Sequence, residues 1–381
     1  MRILMISKAC LVGAYQRKLE EIAAHPDAQL TVAVPAEWRD ERGTLRLERA
    51  HTLGYRLVVE PIAFNGSFHL HFYPQLARLL AEVKPDIVHV DEEPYNFATW
   101  HAMRLARRSG AKTLFFSWQN LNRRYPFPWS AMEADVLRRA DYAICGNREA
   151  ESVWRAKGYR GRVAVIPQFG VDTDLFSPPV ETLPVETFAK RATSLREVGG
   201  EVFTIAYAGR FVPEKGGDVL IHAAARLDAN VRLVLLGSGP RESAWRRLAA
   251  DCGIAPRVQF KPWISSLEFP EFLKTIDALV LPSITQPDWK EQFGRVLIEA
   301  MACGVPVVGS TCGEIPNVIG DAGLIVPESD PDALADALRR LQHDTTLRAE
   351  LSRRGRERAL AHFTQKRIAE ETVRVYRALT V

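Results

Sequence analysis

The chain has little cysteine: Cys10, Cys145, Cys252, Cys303 and Cys312 are scattered through 381 residues. Their number is odd and no pair has zinc-ligand spacing, which argues against a disulfide framework or a structural zinc site. It favours a reduced, cytoplasmic setting. Long apolar runs are missing too. Nothing approaches twenty consecutive apolar residues, so no segment reads as a membrane span. The opening MRILMISKACLVGAYQRK lacks a long apolar h-region and goes straight into a short strand. An excess of one charge is also absent: 50 Lys and Arg against 46 Asp and Glu leave a net charge of +4. The molecule as a whole therefore offers no argument for nucleic acid. Short-period repeats and low-complexity tracts are not visible.

What remains is the balance of an ordinary globular protein, 47% hydrophobic and 25% charged, in a chain long enough for two cores. Short apolar runs alternate with amphipathic stretches. Strands are predicted at 2–7, 30–35, 55–62, 86–90, 113–118, 142–146 and 163–167. After a Pro-, Thr- and charge-rich stretch from 177 to 200, the alternation restarts at 203–210, 231–238, 258–263, 278–283, 305–310 and 323–327. Such alternation predicts an α/β chain of two Rossmann-like, doubly wound parallel sheets. The first domain is read as residues 1–177 and the second as 178–363. A last helix, about 364–381, is long enough to cross back to the first. Asp330 followed by Pro331 marks a strong helix start. In open α/β sheets ligands bind beyond the carboxyl ends of the strands, so function is sought in the loops that follow them.

Three such loops lie in the second half. AGRFVPEKGGDVL carries Gly209, which allows close backbone approach, and two cations five residues apart, Arg210 and Lys215. Arg grips phosphate oxygens with a planar fork and Lys supplies a compact charge, so the loop suits a diphosphate; the alternative is a solvated turn. GSGP at 237–240 lacks the full dinucleotide fingerprint and reads as an ordinary strand-to-helix turn. EQFGRVLIEAMACGVPVVGS, 291–310, is the most informative. Gly294 stands where a helix begins, and the amides of Gly294, Arg295 and Val296 form an anion site. Glu291 precedes the helix and Glu299 lies deeper on an apolar face, where a carboxylate must be hydrogen-bonded. Sugar and ribose hydroxyls are donors that could satisfy both; the alternative is a structural pair with Arg. Eight residues of helix would separate the two by about 12 Å, too far for a glycosidase acid and nucleophile, which stand about 5–5.5 Å apart. They read as clamps.

These residues resemble family-4 glycosyltransferases, retaining enzymes of GT-B fold that use nucleotide sugars. The hallmark of two glutamates separated by seven residues matches Glu291 and Glu299. The family's basic loop matches Gly209, Arg210, Lys215 and Gly216, and ADYAICGNREAESVWRAKGYRGRVAVIPQFGVDTDLFSP matches its approach to the domain boundary. The resemblance implies two domains facing a central cleft and assigns Arg210, Lys215 and Glu291 to catalysis. Arg210 and Lys215 would bind the donor diphosphate with the amides of Phe293, Gly294, Arg295 and Val296. Glu291 would hold the transferred sugar and Glu299 the nucleotide ribose. Trp263, with Pro262 and Ile264, would flank the base, and the loop around Gly13 would face the donor phosphates.

The first half departs from the family pattern. His89-Val90-Asp91 replaces a histidine pair, Trp118-Gln119-Asn120 replaces another histidine, and LVGAY has one glycine where two are usual. Asp91, Glu93 and Gln119 are the acceptor-side candidates, against a solvated acidic turn at 91–93. No resident cofactor or metal is expected, because the cations can carry the leaving group; the co-substrate is a UDP- or GDP-sugar. Expected partners are the nucleotide sugar and a glycan or lipid-linked acceptor, at the inner face of a membrane. Arg104, Arg107, Arg108, Arg123, Arg124, Arg138 and Arg139 form either a solvated helix face or a patch for peripheral membrane contact. The competing readings are a sugar-nucleotide epimerase, a phosphorylase, or a non-catalytic nucleotide-sugar-binding subunit.

Overall fold

The structure, a computed structural model, describes residues 1–40, 43–178 and 202–380. The Pro- and Thr-rich boundary stretch therefore lies, from 179 onward, outside the described residues. Two compact units result: Met1–Gly170 with Gln365–Val381, and Val171–Thr364.

In the first unit, seven parallel strands stand in the order β5-β2-β1-β6-β7-β8-β9. They are β1 (Arg2–Ile6), β2 (Gln29–Val34), β5 (Arg56–Val59), β6 (Ile87–Val90), β7 (Lys112–Ser117), β8 (Tyr142–Cys145) and β9 (Arg162–Val165). A hairpin of β3 (Glu37–Asp40) and β4 (Gly43–Arg46) stands outside this sheet. In the second unit the order is β12-β11-β10-β13-β14-β15, with β10 (Phe203–Ala208), β11 (Val231–Leu236), β12 (Val258–Lys261), β13 (Ala278–Leu281), β14 (Val307–Ser310) and β15 (Leu324–Val326). Helices cover both faces of the sheets, so central strands such as IVHV, YAIC and ALVL are buried at every position, as parallel sheets require.

Every strand predicted from the sequence is present, each usually a residue or two shorter at its carboxyl end. Of the trimmed residues, Ser7 and Gly209 donate a last amide to the Ala33 and Leu236 carbonyls before the chain turns, and Trp118 and Ser283 lie in the loops that follow their strands. The β3–β4 hairpin was not predicted, because its strands are short, charged and, in β4, exposed at all four positions. The last helix, Gln365–Thr380, packs Ile368, Val373 and Tyr376 into the core of the first unit. Asp330 accepts the amide of Ala333 at 2.9 Å and starts the helix Pro331–His343 as expected.

Both sheets reverse direction in the same way. The chain runs outward from β1 to β2 and β5 and then returns to place β6 on the other side of β1; β10, β11, β12 and β13 repeat this. A topological switch point thus lies between β1 and β6 and another between β10 and β13, where a doubly wound fold leaves a crevice for ligand.

Candidate functional site

At the second unit's switch point, the loop after β10 and the loop after β13 are locked together. Gly216 has φ +65°, and a Cβ there would lie 2.0 Å from the Pro282 carbonyl oxygen. Only glycine adopts that conformation at that distance without displacing the backbone. The consequence is that Lys215 is delivered to the end of β13. Its Nζ lies 2.5 Å from Glu291 Oε2 and 4.9 Å from the Trp289 ring centre. Ser283 Oγ donates to the same Glu291 oxygen at 3.0 Å. Arg210 reaches Glu214 at 3.6 Å with its side chain 59% exposed, so its guanidinium is held loosely beside solvent. Tyr207 fixes that loop by donating its hydroxyl to the Arg210 carbonyl at 2.6 Å. The GSGP turn is structural: a Cβ at Gly237 would lie 1.9 Å from the Gly209 carbonyl oxygen, so the glycine lets the two loops touch.

The helix read from EQFGRVLIEAMACG runs Arg295–Ala302, with Gly294 as its N-cap at φ 78°. Its first-turn amides, those of Arg295 and Val296, are the donors a helix start presents to an anion. Because this helix begins four residues after Glu291, the twelve-ångström span expected from eight helical residues does not apply. What separates the two glutamates is their partners: Glu291 answers to Lys215 and Ser283, whereas Glu299 meets Arg295 Nε at 3.1 Å. Glu299 is buried, and burial pushes its carboxyl up to about 7 against the opposing pull of Arg295. Phe293 is buried against Phe363. Trp263 is 48% exposed and stacks on Phe269.

The first unit's switch point is also polar and largely buried. Ser7 Oγ donates to Asp91 Oδ2 at 2.6 Å, while the other oxygen of Asp91 is buried without a hydrogen-bond partner among the described residues. Lys8 pairs with buried Glu92, and the His71 ring lies 3.7 Å from the same carboxylate. Lys8 and His71 hold Glu92 down at about 2, against its burial. Glu93 accepts from Ser117 Oγ at 2.5 Å and from the Trp118 amide at 2.8 Å, yet burial pushes it up to about 7. A solvated acidic turn does not describe these residues. Gln119 is spent within its own loop, donating to the Leu121 carbonyl and accepting from Tyr125. The Gly13 amide donates to Glu48 Oε2 at 2.6 Å, so this anion seat is filled by the chain itself.

Sequence reasoning missed Lys8, His71, Ser117, Ser283 and Trp289. Lys8 and Ser283 each stand second after the end of β1 and β13, and the strand-end rule could have found them. His71 and Trp289 carried no local signal, because long-range packing alone brings them in.

Two doubly wound halves, each with its polar side chains at the strand ends, define the GT-B class of fold. The chain belongs to the glycosyltransferases: residues 196–358 match the family model described as glycosyl transferases group 1, and residues 20–175 that of glycosyltransferase family 4. A GDP-mannose-dependent alpha-(1-6)-phosphatidylinositol monomannoside mannosyltransferase of Mycolicibacterium smegmatis is 32% identical over 274 residues, 68% of either chain. A D-inositol 3-phosphate glycosyltransferase of Xylanimonas cellulosilytica is 37% identical over 231 residues, 58% of this chain and 53% of that one. The chain spans about half the length of the inositol 3-phosphate relatives it matches. Among solved structures, sucrose-phosphate synthase from Thermosynechococcus elongatus superposes with TM-score 0.72 at 22% identity, covering 99% of this chain and 98% of that one. Anabaena HepE in complex with UDP gives 0.72 at 19%, covering 99% and 100%. At these identities the structures establish the fold.

Proposed function

We propose that the chain is a retaining glycosyltransferase that moves a hexose-type sugar from a nucleoside-diphosphate sugar to a hydroxyl of a glycan or lipid-linked acceptor. The observation that carries this reading is the Lys215 ammonium, held between Glu291 and Trp289 beside the loosely held Arg210. Breaking the sugar–phosphate bond builds negative charge on the departing diphosphate and positive charge on the anomeric carbon. Arg210 and Lys215 would take the first charge with the helix start at Arg295, and removing one such group costs about 3–4 kcal/mol of transition-state stabilisation. Glu291 would hold the sugar hydroxyls and keep Lys215 aimed, and Glu299 would accept from the ribose. These cations supply the neutralisation that a divalent ion would otherwise provide, so we expect turnover without added metal. The Asp-x-Asp at Asp172 and Asp174 folds into its own turn, the Asp174 amide donating to Asp172 at 3.0 Å. The acceptor proton would leave on the departing phosphate oxygen, with no protein nucleophile.

The GDP-mannose dependence of the Mycolicibacterium smegmatis relative makes GDP the first nucleotide to test and UDP the second. Calorimetric titration with GDP, UDP and ADP should give saturable binding of one, weakened at least tenfold in Lys215→Met. Absence of binding by all three would end the proposal. Chromatography of the selected donor with and without EDTA should show equal consumption, and proton NMR of the released sugar should show the donor's anomeric configuration.

A further inference from the structure

Beside its polar switch point the first unit carries a recess of about 580 Å³ that the proposed chemistry does not use, a size typical of small-ligand sites. It opens between the starts of the helices Phe97–Arg108 and Trp129–Arg139, which follow β6 and β7, and the segment after β5. It therefore stands at the carboxyl ends of the strands, on the edge where ligands bind. Its walls are largely rings. Phe97 and Trp100 stack with centres 5.6 Å apart, Trp129 lies 5.5 Å from His69, and exposed Phe64 and Leu70 line it too. No helix among the described residues is long and apolar enough to cross a membrane, so these rings are not the flank of a spanning segment. Three charged side chains complete the lining. Asp135 is already taken, accepting from Trp100 Nε1 at 3.1 Å and meeting Arg138 and Arg139 at 3.2 and 2.6 Å. Arg104 is exposed and pairs with no carboxylate among the described residues; its guanidinium lies 4.7 Å from the Trp100 ring centre. Two guanidinium groups, Arg104 and Arg138, against one carboxylate leave the lining one positive charge.

The recess and the crevice share a wall. The Phe97 amide donates to the His69 carbonyl at 2.9 Å, tying the segment after β5 to the helix start. Within that segment Leu70 lines the recess, whereas the Phe68 ring lies 4.7 Å from Lys8 Nζ and His71 lies 3.7 Å from Glu92. A chain molecule seated beside Lys8 and Glu92 thus continues past Leu70 into the recess. We propose that the recess holds an acidic sugar of the acceptor glycan, a pyranose bearing one carboxylate. This rests on the reading of the chain as a transferase to a glycan, and it names the class of that glycan. A pyranose presents a face of C–H bonds, which the negative face of an aromatic ring attracts. Its carboxylate matches the planar fork of Arg104, and a single negative charge balances the lining. A neutral sugar would use the rings alone. An apolar chain would cover Arg104 and Asp135 with groups that cannot bond them.

The test is an array of uronate-containing oligosaccharides, each in native form and with its carboxyls reduced to alcohols, probed with the full chain at physiological salt. Native members should be retained at least fivefold more strongly than their reduced forms. Arg104→Gln should abolish that preference, and Trp129→Leu should lower retention of native members at least fivefold, with melting temperature and nucleotide affinity unchanged. The pair Arg123→Ser and Arg124→Ser, outside the lining, should bind like the parent. Equal retention of native and reduced members, retention of none, or Arg104 and Trp129 variants that bind like the parent would overturn the proposal. So would an equal loss in the Arg123 and Arg124 pair, the mark of unspecific attraction for polyanions. Anionic vesicles captured through Arg104 and Trp129 while no glycan is retained would overturn it as well. The nucleotide titration reads the transferase proposal separately: a chain that binds a nucleoside diphosphate but discriminates no uronate loses only this inference.

Discussion

At the scale of single residues, Glu299 pays for its position in stability. Its folded-state value near 7 stands above the ordinary 4.5, so the folded chain holds the proton more tightly than the unfolded one. Its contribution to stability is therefore best below about pH 4.5 and is lost as pH rises through 7. Glu299→Gln should raise the melting temperature at pH 8 and progressively less toward pH 5, which scanning calorimetry can follow. If ribose hydroxyls donate to this carboxylate, nucleotide affinity in the parent should climb with pH through 7 and that dependence should vanish in the glutamine variant. Lys215 is expected to act differently: Lys215→Ala should lower kcat/KM by about 10²–10³. In the first unit, Lys8→Ala would leave Glu92 buried beside His71 alone. Loss of one partner of a buried pair costs about 3–5 kcal/mol, and urea unfolding would measure it.

Elements matter here mainly through their ends. Gly216 begins the helix Gly217–Ala224 from a left-handed conformation pressed against Pro282. Gly216→Ala adds both the strain of positive φ and a collision with backbone, so Lys215 must shift. We expect nucleotide affinity to fall more than tenfold and the melting temperature to drop. Asp330 offers a control far from this chemistry. Asp330→Ala removes an N-cap bond and should cost about 1 kcal/mol, read by denaturant midpoint, with nucleotide binding unchanged. The β3–β4 hairpin and the segment after it have another use: Glu48 fills the Gly13 amide and the Glu48 amide donates to Leu11, closing the loop that follows β1.

At the scale of the whole molecule, two cores of comparable build carry two polar switch points, bridged in like manner by Ser7 with Asp91 and by Ser283 with Glu291. Ligand that binds only the native chain stabilises it by about 2.7 kcal/mol at a hundredfold excess over its dissociation constant. The preferred nucleoside diphosphate should thus raise the melting temperature of the parent, with much less effect in Lys215→Met.

The sequence by itself determined the alternation of strands and helices and the start of the helices at Gly294 and Asp330, and it singled out Arg210, Lys215, Glu291 and Glu299 as site candidates. Hydrophobic period, turn residues and fixed spacing are local properties, and a chain carries them before it folds. It could not show that Lys215 reaches Glu291 across 76 residues, that Lys8, His71 and Glu92 share one buried site, or that Phe64 and Leu70 come to line a recess with Trp100 and Trp129. Nor could it show that the acidic stretch at 91–93 turns inward. Those outcomes depend on which strand lies beside which, and on how much water each charge loses. Only the packed tertiary structure decides both.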